Sequence, residues 1–188
     1  MGAFSDVLQG TKVFMDRNVG FGSSSYGLAF AATHQAPDTV IQGFPSFDET
    51  KPTFLFRISS AIRRVVPRVM RLTQMGDPAS DTIRISVAID SADRFSAGGV
   101  PVIPKNLNTD EDVASVVNFL LAPTATAAGA GTRYVANDAM PPSAGASFDL
   151  DFSDAIILGK TSSLLIYTWA PVTPPSWFFS FSWVEEEK

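Results

Sequence analysis

Apolar and polar residues alternate along three stretches near the C-terminus: SFDLDF, SLLIYTW and WFFSFSW. Strand side chains point alternately to the two faces of a sheet, so each stretch is expected to place one row on a core and the other in solvent. The rows expected to be buried are Phe148, Leu150 and Phe152, then Leu165, Tyr167 and Trp169, then Trp177, Phe179, Phe181 and Trp183. The pattern predicts an all-β fold, an antiparallel β-sandwich with an aromatic core.

The preceding part of the chain continues this pattern with short alternating segments at 26–32, 53–58 and 82–90. Roughly eight to ten short strands separated by turn residues, with no long helix, are typical of a sandwich of jelly-roll type. Pro67 lies within the segment IRRVVPRVMRLTQ of 62–74, which predicts an edge strand or two short pieces there. Residues 91–112, rich in glycine and proline, are expected to form a long loop that has a function of its own or lies across a neighbouring molecule.

The chain divides into an arm and one domain. Apolar residues are sparse in 1–23, which ends in the glycine- and serine-rich GFGSSS, so this part is expected to form an extended arm. Residues 24–188 are expected to form a single β-sandwich domain, since 188 residues suit one domain.

Composition restricts the possible functions. The chain has no cysteine, which excludes disulfides and thiolate metal sites, and its net charge of −5 does not favour nucleic-acid binding. No apolar run is long enough for a membrane span, and the N-terminus lacks the pattern of a signal peptide. Only 18% of the residues are charged and 11% are aromatic, a balance typical of chains that cover additional surface in an assembly.

Few residues could perform chemistry. His34 is the sole histidine and lies in a predicted turn, so no catalytic residue, cofactor or metal site is predicted. Asp149 and Asp151, with Asp154 nearby, could hold Ca²⁺ or flank a glycosidic bond. They also match the solvated face of an ordinary strand, and their alternation with Phe148, Leu150 and Phe152 favours that interpretation.

A group of arginines is the strongest local charge bias in this acidic chain. Its members are Arg57, Arg63, Arg64, Arg68 and Arg71. Such a group could bind an acidic partner, or it could protect an exposed edge strand from unwanted pairing. We favour a protein interface over nucleic acid, because no aromatic residues are interleaved with the arginines. Pro101, Asn106 and Asn108 of the predicted loop complete the set of candidate interface residues.

The stretch FSAGGVPVIPKNLNTDEDVAS resembles a GG-x-PV-x-P-x-NLN segment of small structural proteins of tailed-bacteriophage heads. In those proteins a β-rich half ending in an aromatic strand follows, and the order here, through VVNFLLA, RYVAN, FDLDF and SLLIYTW to WFFSFSWVEE, is similar. The resemblance covers about residues 90–188. It implies a head decoration, or cement, protein: a jelly roll, often trimeric, over the junctions between capsomers.

These observations lead to one expectation and two alternatives. We expect a non-enzymatic structural protein, made in the host cytoplasm, that decorates and stabilises the exterior of a phage capsid. Its partners would be the major capsid protein and further copies of itself, most simply in a trimer, with no nucleic acid or membrane involved. The first alternative is a receptor- or carbohydrate-binding sandwich such as a fibre head domain, in which an exposed Trp169 or Trp177 stacks on sugar. The second is a glycoside hydrolase that uses Asp149 and Asp151.

Overall fold

The structure is a computed structural model that describes residues 28–33, 39–59, 62–76, 81–110, 113–152 and 156–187. The expected arm, His34 and Asp154 lie outside the described residues. The described residues form these strands: β1 (Ala29–Thr33), β2 (Ile41–Gln42), β3 (Phe54–Ile58), β4 (Arg63–Gln74), β5 (Ile83–Asp90), β6 (Phe95–Ala97), β7 (Val100–Val102), β8 (Lys105–Asn106), β9 (Val117–Leu121), β10 (Thr124–Ala125), β11 (Thr132–Met140), β12 (Ser147–Asp151), β13 (Ser163–Trp169) and β14 (Ser176–Glu187).

The strands form two six-stranded sheets and one small sheet, in which the paired strands run antiparallel. The first sheet has the order β12-β4-β14-β1-β8, with β2 also paired to β14. The second has the order β11-β5-β13-β3-β9-β7. The small sheet consists of β6 and β10. None of the described residues forms a helix with the length and apolar character needed to span a bilayer.

Aromatic side chains join the two large sheets face to face. Phe56 of the second sheet meets Phe181 and Trp183 of the first, with ring centroids 5.0 and 5.1 Å apart. Phe54 and Phe179 make a similar edge contact at 5.3 Å. Edge-on aromatic pairs at such distances add attraction to the burial of apolar surface. The predicted antiparallel β-sandwich with an aromatic core is confirmed.

The predicted core rows are mostly correct, with one exchange of faces in β13. The residues Leu150, Phe152, Tyr167, Trp177, Phe179, Phe181 and Trp183 are buried, whereas Phe148 and Trp169 are half-buried. In β13, however, Leu164 and Ile166 belong to the sandwich core, and Leu165 and Tyr167 lie in a second cluster. The sequence SLLIYTW is apolar on both faces, which is typical of a strand covered on both sides.

A third layer covers the outer face of the second sheet. Ala125 of β10 packs with Leu55 and Tyr167 in the second cluster, and Phe95 of β6 packs against it. Arg94, which is 2% exposed, holds this layer in place: its Nε donates to the Thr126 carbonyl at 2.8 Å, and its guanidinium lies 3.6 Å from Asp90. A buried cation is tolerated because it is paired and hydrogen-bonded.

Strand β4 is one continuous twelve-residue strand between β12 and β14, so the expectation of an edge strand or two short pieces was wrong. Proline is tolerated here because of a bulge. Pro67 lies opposite Trp183, and Met70 lies opposite Phe181, so Arg68 and Val69 together face the single residue Ser182. A bulge interrupts the regular ladder of hydrogen bonds, and a missing N–H donor costs little at such a point.

Residues 91–112 are not a structureless loop, because they contain β6, β7 and β8. Strand β7 pairs with β9 at the edge of the second sheet, and β8 pairs with β1 at the edge of the first. The chain from β7 to β8 therefore crosses from one sheet to the other and closes this side of the sandwich. On the opposite side β11 and β12 are separated by a cleft of about 630 Å³.

Candidate interaction surface

The structure does not bring the five candidate arginines together. Arg57 lies in β3 on the outer face of the second sheet, where it pairs with Asp93 and its guanidinium stands 4.7 Å from the Phe95 ring centroid. The other four lie in β4 of the first sheet. Arg57 therefore helps to attach the third layer, away from the remaining arginines.

Arg63 points into the end of the sandwich. Its Nη1 donates to Glu185 Oε2 at 3.0 Å and to the Ala114 carbonyl at 3.1 Å. Glu185 is fully buried and also accepts hydrogen bonds from Ser115 Oγ at 2.5 Å and the Val116 N–H at 3.0 Å. Arg63 thus has a structural partner in the chain.

Arg64 and Arg71 are exposed and each is paired across neighbouring strands. Arg71 Nε and Nη2 donate to the two oxygens of Asp149 at 2.7 and 2.8 Å, and this hydrogen bonding holds the pKa of Asp149 below its usual range. Arg64 Nε donates to Glu186 Oε2 at 2.9 Å. The carbonyl of Arg68, at the bulge, accepts from the Phe152 N–H at 2.8 Å. Because the ion pairs neutralise most of this charge, the outer face of the first sheet is polar and not strongly positive.

The segment 98–108, which we call the edge segment, contains the other three candidates. It opens with Gly98 and Gly99, whose φ angles of 67° and 87° lie in the left-handed region. A Cβ at Gly99 would stand 2.9 Å from Pro123 Cβ. Glycine is therefore required at Gly99 both for its positive φ angle and for lack of space. Pro101 follows in β7 opposite Leu120, and proline suits this strand because β7 is the edge of its sheet.

Asn106 and Asn108 shape the end of the edge segment. Asn106 Oδ1 accepts from the Asn108 N–H at 2.9 Å, and its Nδ2 donates to the Val113 carbonyl at 3.2 Å. Asn108 Oδ1 accepts from the Asp110 N–H at 3.0 Å. The Leu107 N–H donates to the Ala29 carbonyl at 2.9 Å. Side chains that bond to backbone two residues ahead fix a turn, so these asparagines give the segment one defined shape.

The edge segment presents apolar side chains that sequence reasoning did not single out. Val100, Ile103 and Leu107 have exposed fractions of 63%, 61% and 54%, whereas Val102 between them is buried. The signal in the sequence was the run VPVI. Its apolar residues occupy both faces of a short strand, and only one of those faces packs on the core. Exposed apolar side chains grouped on one short segment favour a contact with another protein.

The tryptophans separate into buried and half-buried positions. Trp177 and Trp183 are fully buried, and Trp177 Nε1 donates to Thr168 Oγ1 at 2.8 Å. Trp169 is half-buried and packs on Phe47, with ring centroids 5.3 Å apart. Phe47 also contacts Tyr134 at 6.2 Å, and both of these side chains are more than 40% exposed. A small aromatic patch therefore lies on the outer face of the second sheet.

Chemistry-bearing groups are dispersed over the described part of the chain. There, no three His, Cys, Asp or Glu side chains are placed to hold a metal ion. Asp149 and Asp151 stand on the solvent-exposed face of β12, and Asp149 is held by Arg71. The lowered pKa of Asp149 is opposite in direction to the raised pKa that a glycosidic general acid needs.

Comparison with known proteins gives only a weak structural likeness. No family model and no curated protein sequence matches the chain. A chain of the T13 viral particle of IBDV aligns with a TM-score of 0.31 and 13% identity, over 84% of this chain and 30% of that one. VP17, a capsid protein of bacteriophage P23-77, aligns with a TM-score of 0.18 and 13% identity, over 85% and 96%. The chain thus spans under a third of the viral chain first named, and it is weakly similar in structure to viral capsid proteins.

Proposed function

We propose that this chain is a structural protein of a tailed-phage virion that decorates the exterior of the head and stabilises it. The observation that carries the proposal is the edge segment, in which Val100, Ile103 and Leu107 are exposed on a backbone hydrogen-bonded to both sheets. This is also the part of the chain that resembles head decoration proteins. The proposed partner is the major capsid protein.

Preorganisation is the physical reason for choosing this segment. A loop that becomes ordered on binding loses conformational freedom, and that loss weakens the complex. The edge segment is already fixed by the Gly98–Gly99 turn, by β7 and β8, and by the turns at Asn106 and Asn108. Burial of its three apolar side chains would therefore contribute to affinity with little ordering cost.

The arginines have a secondary role in this proposal. Arg57 and Arg63 support the fold, whereas Arg64, Arg71 and their carboxylate partners form a polar surface that could border a contact. Exchange of ion-pair partners at such a border affects the rate of association more than the affinity. Nucleic acid and membrane have no part in the proposed contact, and the arm of residues 1–23 would add a second attachment to the head.

The proposed role has two parts. The first is that the chain is structural and not catalytic. The second is that it acts as a closed homo-oligomer, for which the resemblance implies a trimer. The ion-paired Asp149 on an ordinary strand face supports the first part. The low fraction of charged residues and the exposed apolar side chains support the second, since assembly covers such surface. Synthesis in the host cytoplasm and residence on the capsid surface follow from this role.

A second candidate function is glycan binding at the aromatic patch. Phe47 and Tyr134 are exposed next to the half-buried Trp169, and aromatic rings can stack on sugar. The rings are tilted by 57° and 62° to one another, which gives no shared flat platform. Buried Trp177 cannot take part. A glycan-array signal that disappears in Phe47→Ala would favour this function.

Co-sedimentation tests the proposed function. The purified chain is mixed with undecorated heads of the phage that encodes it, and the pellet is assayed for bound chain and for resistance of the heads to heat. We expect saturable binding and a higher disruption temperature. Heads that pellet without the chain at micromolar concentration would overturn the proposal.

A further inference from the structure

The nine-residue strand β11 lies at the edge of the second sheet opposite β7. It pairs with β5 on one side, and no other strand of the described residues pairs with it on the other. Most of its side chains are exposed, among them Tyr134 and Val135 at 44% and 45%. A long edge strand with a row of unpaired N–H and C=O groups is a template for pairing with another chain.

The charges along β11 are arranged symmetrically. Arg133 lies near its start and Asp138 near its end. If β11 pairs antiparallel with β11 of a second copy about a twofold axis between Val135 and Ala136, Arg133 stands opposite Asp138 of the second copy. The same pair then occurs again on the other side of the axis, because a twofold contact is made reciprocally.

The bulge in β11 makes this register geometrically consistent. Val135 has no partner in β5, since Tyr134 lies opposite Ala88 and Ala136 lies opposite Val87. The extra residue places Arg133 and Asp138, five positions apart, on one face of the sheet. Their β5 partners Ile89 and Ile85 both contribute to the sandwich core, which confirms the shared face. Oppositely charged side chains directly across two antiparallel strands attract each other.

We propose that β11 is a self-association surface at which two copies of this chain join their second sheets into one continuous sheet, in the register that pairs Arg133 with Asp138. The exposed Val135 lies at the centre of the contact, and the charged pairs lie on either side of it. The edge segment is at the opposite edge of the same sheet, so this contact and the proposed head contact do not compete. The inference goes beyond the proposed function and does not depend on it.

Charge exchange tests the proposed register. Arg133→Asp and Asp138→Arg each place like charges opposite each other twice, so each variant alone should have half the particle mass of the parent by sedimentation velocity. An equimolar mixture of the two variants should regain the parent mass. In a mixed pair, position 133 of each copy faces a side chain of opposite charge at position 138 of the other. Each copy has one β11 edge, so the contact joins copies in pairs and its loss should halve the mass of a particle that these pairs close.

Arg84→Asp is the matched control, because Arg84 is an exposed arginine of the neighbouring strand β5 and not of the edge. It should leave the particle mass unchanged. The proposal would be overturned if both edge variants had the same particle mass as the parent, or if the mixed variants did not regain the parent mass.

Amide hydrogen exchange on the parent chain gives a test that needs no variant. The outward amides of β11 should be protected at high protein concentration and should lose protection on dilution. Amides of β11 that exchange rapidly at every concentration would also overturn the proposal.

Discussion

Glu185 and Arg63 form an ion pair inside the end of the sandwich, with 3.0 Å between Oε2 and Nη1. Glu185 is fully buried, and it also accepts hydrogen bonds from the segment that leads into β9. A carboxylate of β14 in the first sheet thus holds the entry to a strand of the second sheet. Arg63, also in the first sheet, bonds to the Ala114 carbonyl of the same segment, so both members of the pair link the first sheet to the start of β9.

Removal of Glu185 should destabilise the fold strongly. Glu185→Ala leaves Arg63, whose side chain is 14% exposed, without its carboxylate partner, and breaking a buried pair from one side costs about 3–5 kcal/mol. Glu186→Ala is the control, because the Arg64–Glu186 pair is exposed and should contribute about 0–1 kcal/mol. Urea unfolding of both variants measures the difference. Equal losses would show that the Glu185 pair is not a structural anchor.

The two faces of β14 should differ in their contribution to stability. Phe181 contacts Phe56, Phe119 and Trp183 in the core, so Phe181→Ala should cost about 3–5 kcal/mol of unfolding free energy. Phe178 lies half-buried on the other face of the same strand, and Phe178→Ala should cost clearly less. Thermal and chemical unfolding measure both. A larger loss for Phe178→Ala would contradict the assignment of the core face.

The Arg71–Asp149 pair should be visible in a titration. Arg71 holds the pKa of Asp149 below its usual range, so the pair stabilises the fold at neutral pH and this contribution is lost as the pH falls through that lowered pKa. Carboxyl NMR should report the lowered value in the parent and a return towards the ordinary range in Arg71→Gln. Arg84→Gln should leave Asp149 unchanged. A titration of Asp149 unaffected by Arg71→Gln would show that the pair does not form in solution.

Burial raises the pKa of Tyr167 well above its ordinary value. The unfolded chain then loses the phenolic proton at a lower pH than the folded chain does. Stability due to this group is therefore complete below the ordinary tyrosine pKa and is lost as the pH rises from there to the folded-state pKa. Tyr167→Phe should remove this alkaline loss, as measured by urea unfolding at several alkaline pH values. An undiminished loss in the variant would assign the effect to other groups.

The sandwich could be predicted from the sequence because alternation is a local property. The rows in β12 and β14 lie where the pattern placed them, since each strand has one core face. In β13 the pattern was misleading, because a third layer covers the second face and both rows are apolar. The continuous β4 was missed for a related reason: the bulge that tolerates Pro67 depends on β14, far away in the chain.

The candidate surface was less accessible to sequence reasoning. The sequence suggested one positive patch because the carboxylate partners of the arginines are distant in the chain. Asp149 pairs with Arg71 across 78 residues, and Glu185 pairs with Arg63 across 122 residues. Only the strand register brings these charges together. Residues 91–112 were predicted to form a functional loop, but the short strands and the three exposed apolar side chains of the edge segment depend on pairing with β1 and β9.

Binding of edge-segment variants to phage heads tests the central claim most directly. The parent, the double variant Ile103→Asp with Leu107→Asp, and the control Ile62→Asp are titrated onto undecorated heads, and the bound fraction is measured after sedimentation. Ile62 is 68% exposed and lies between β3 and β4, outside the edge segment. Carboxylates in an apolar contact should weaken binding of the double variant about tenfold or more, which corresponds to about 1.4 kcal/mol, while the control binds like the parent. Equal binding of parent and double variant would contradict the account.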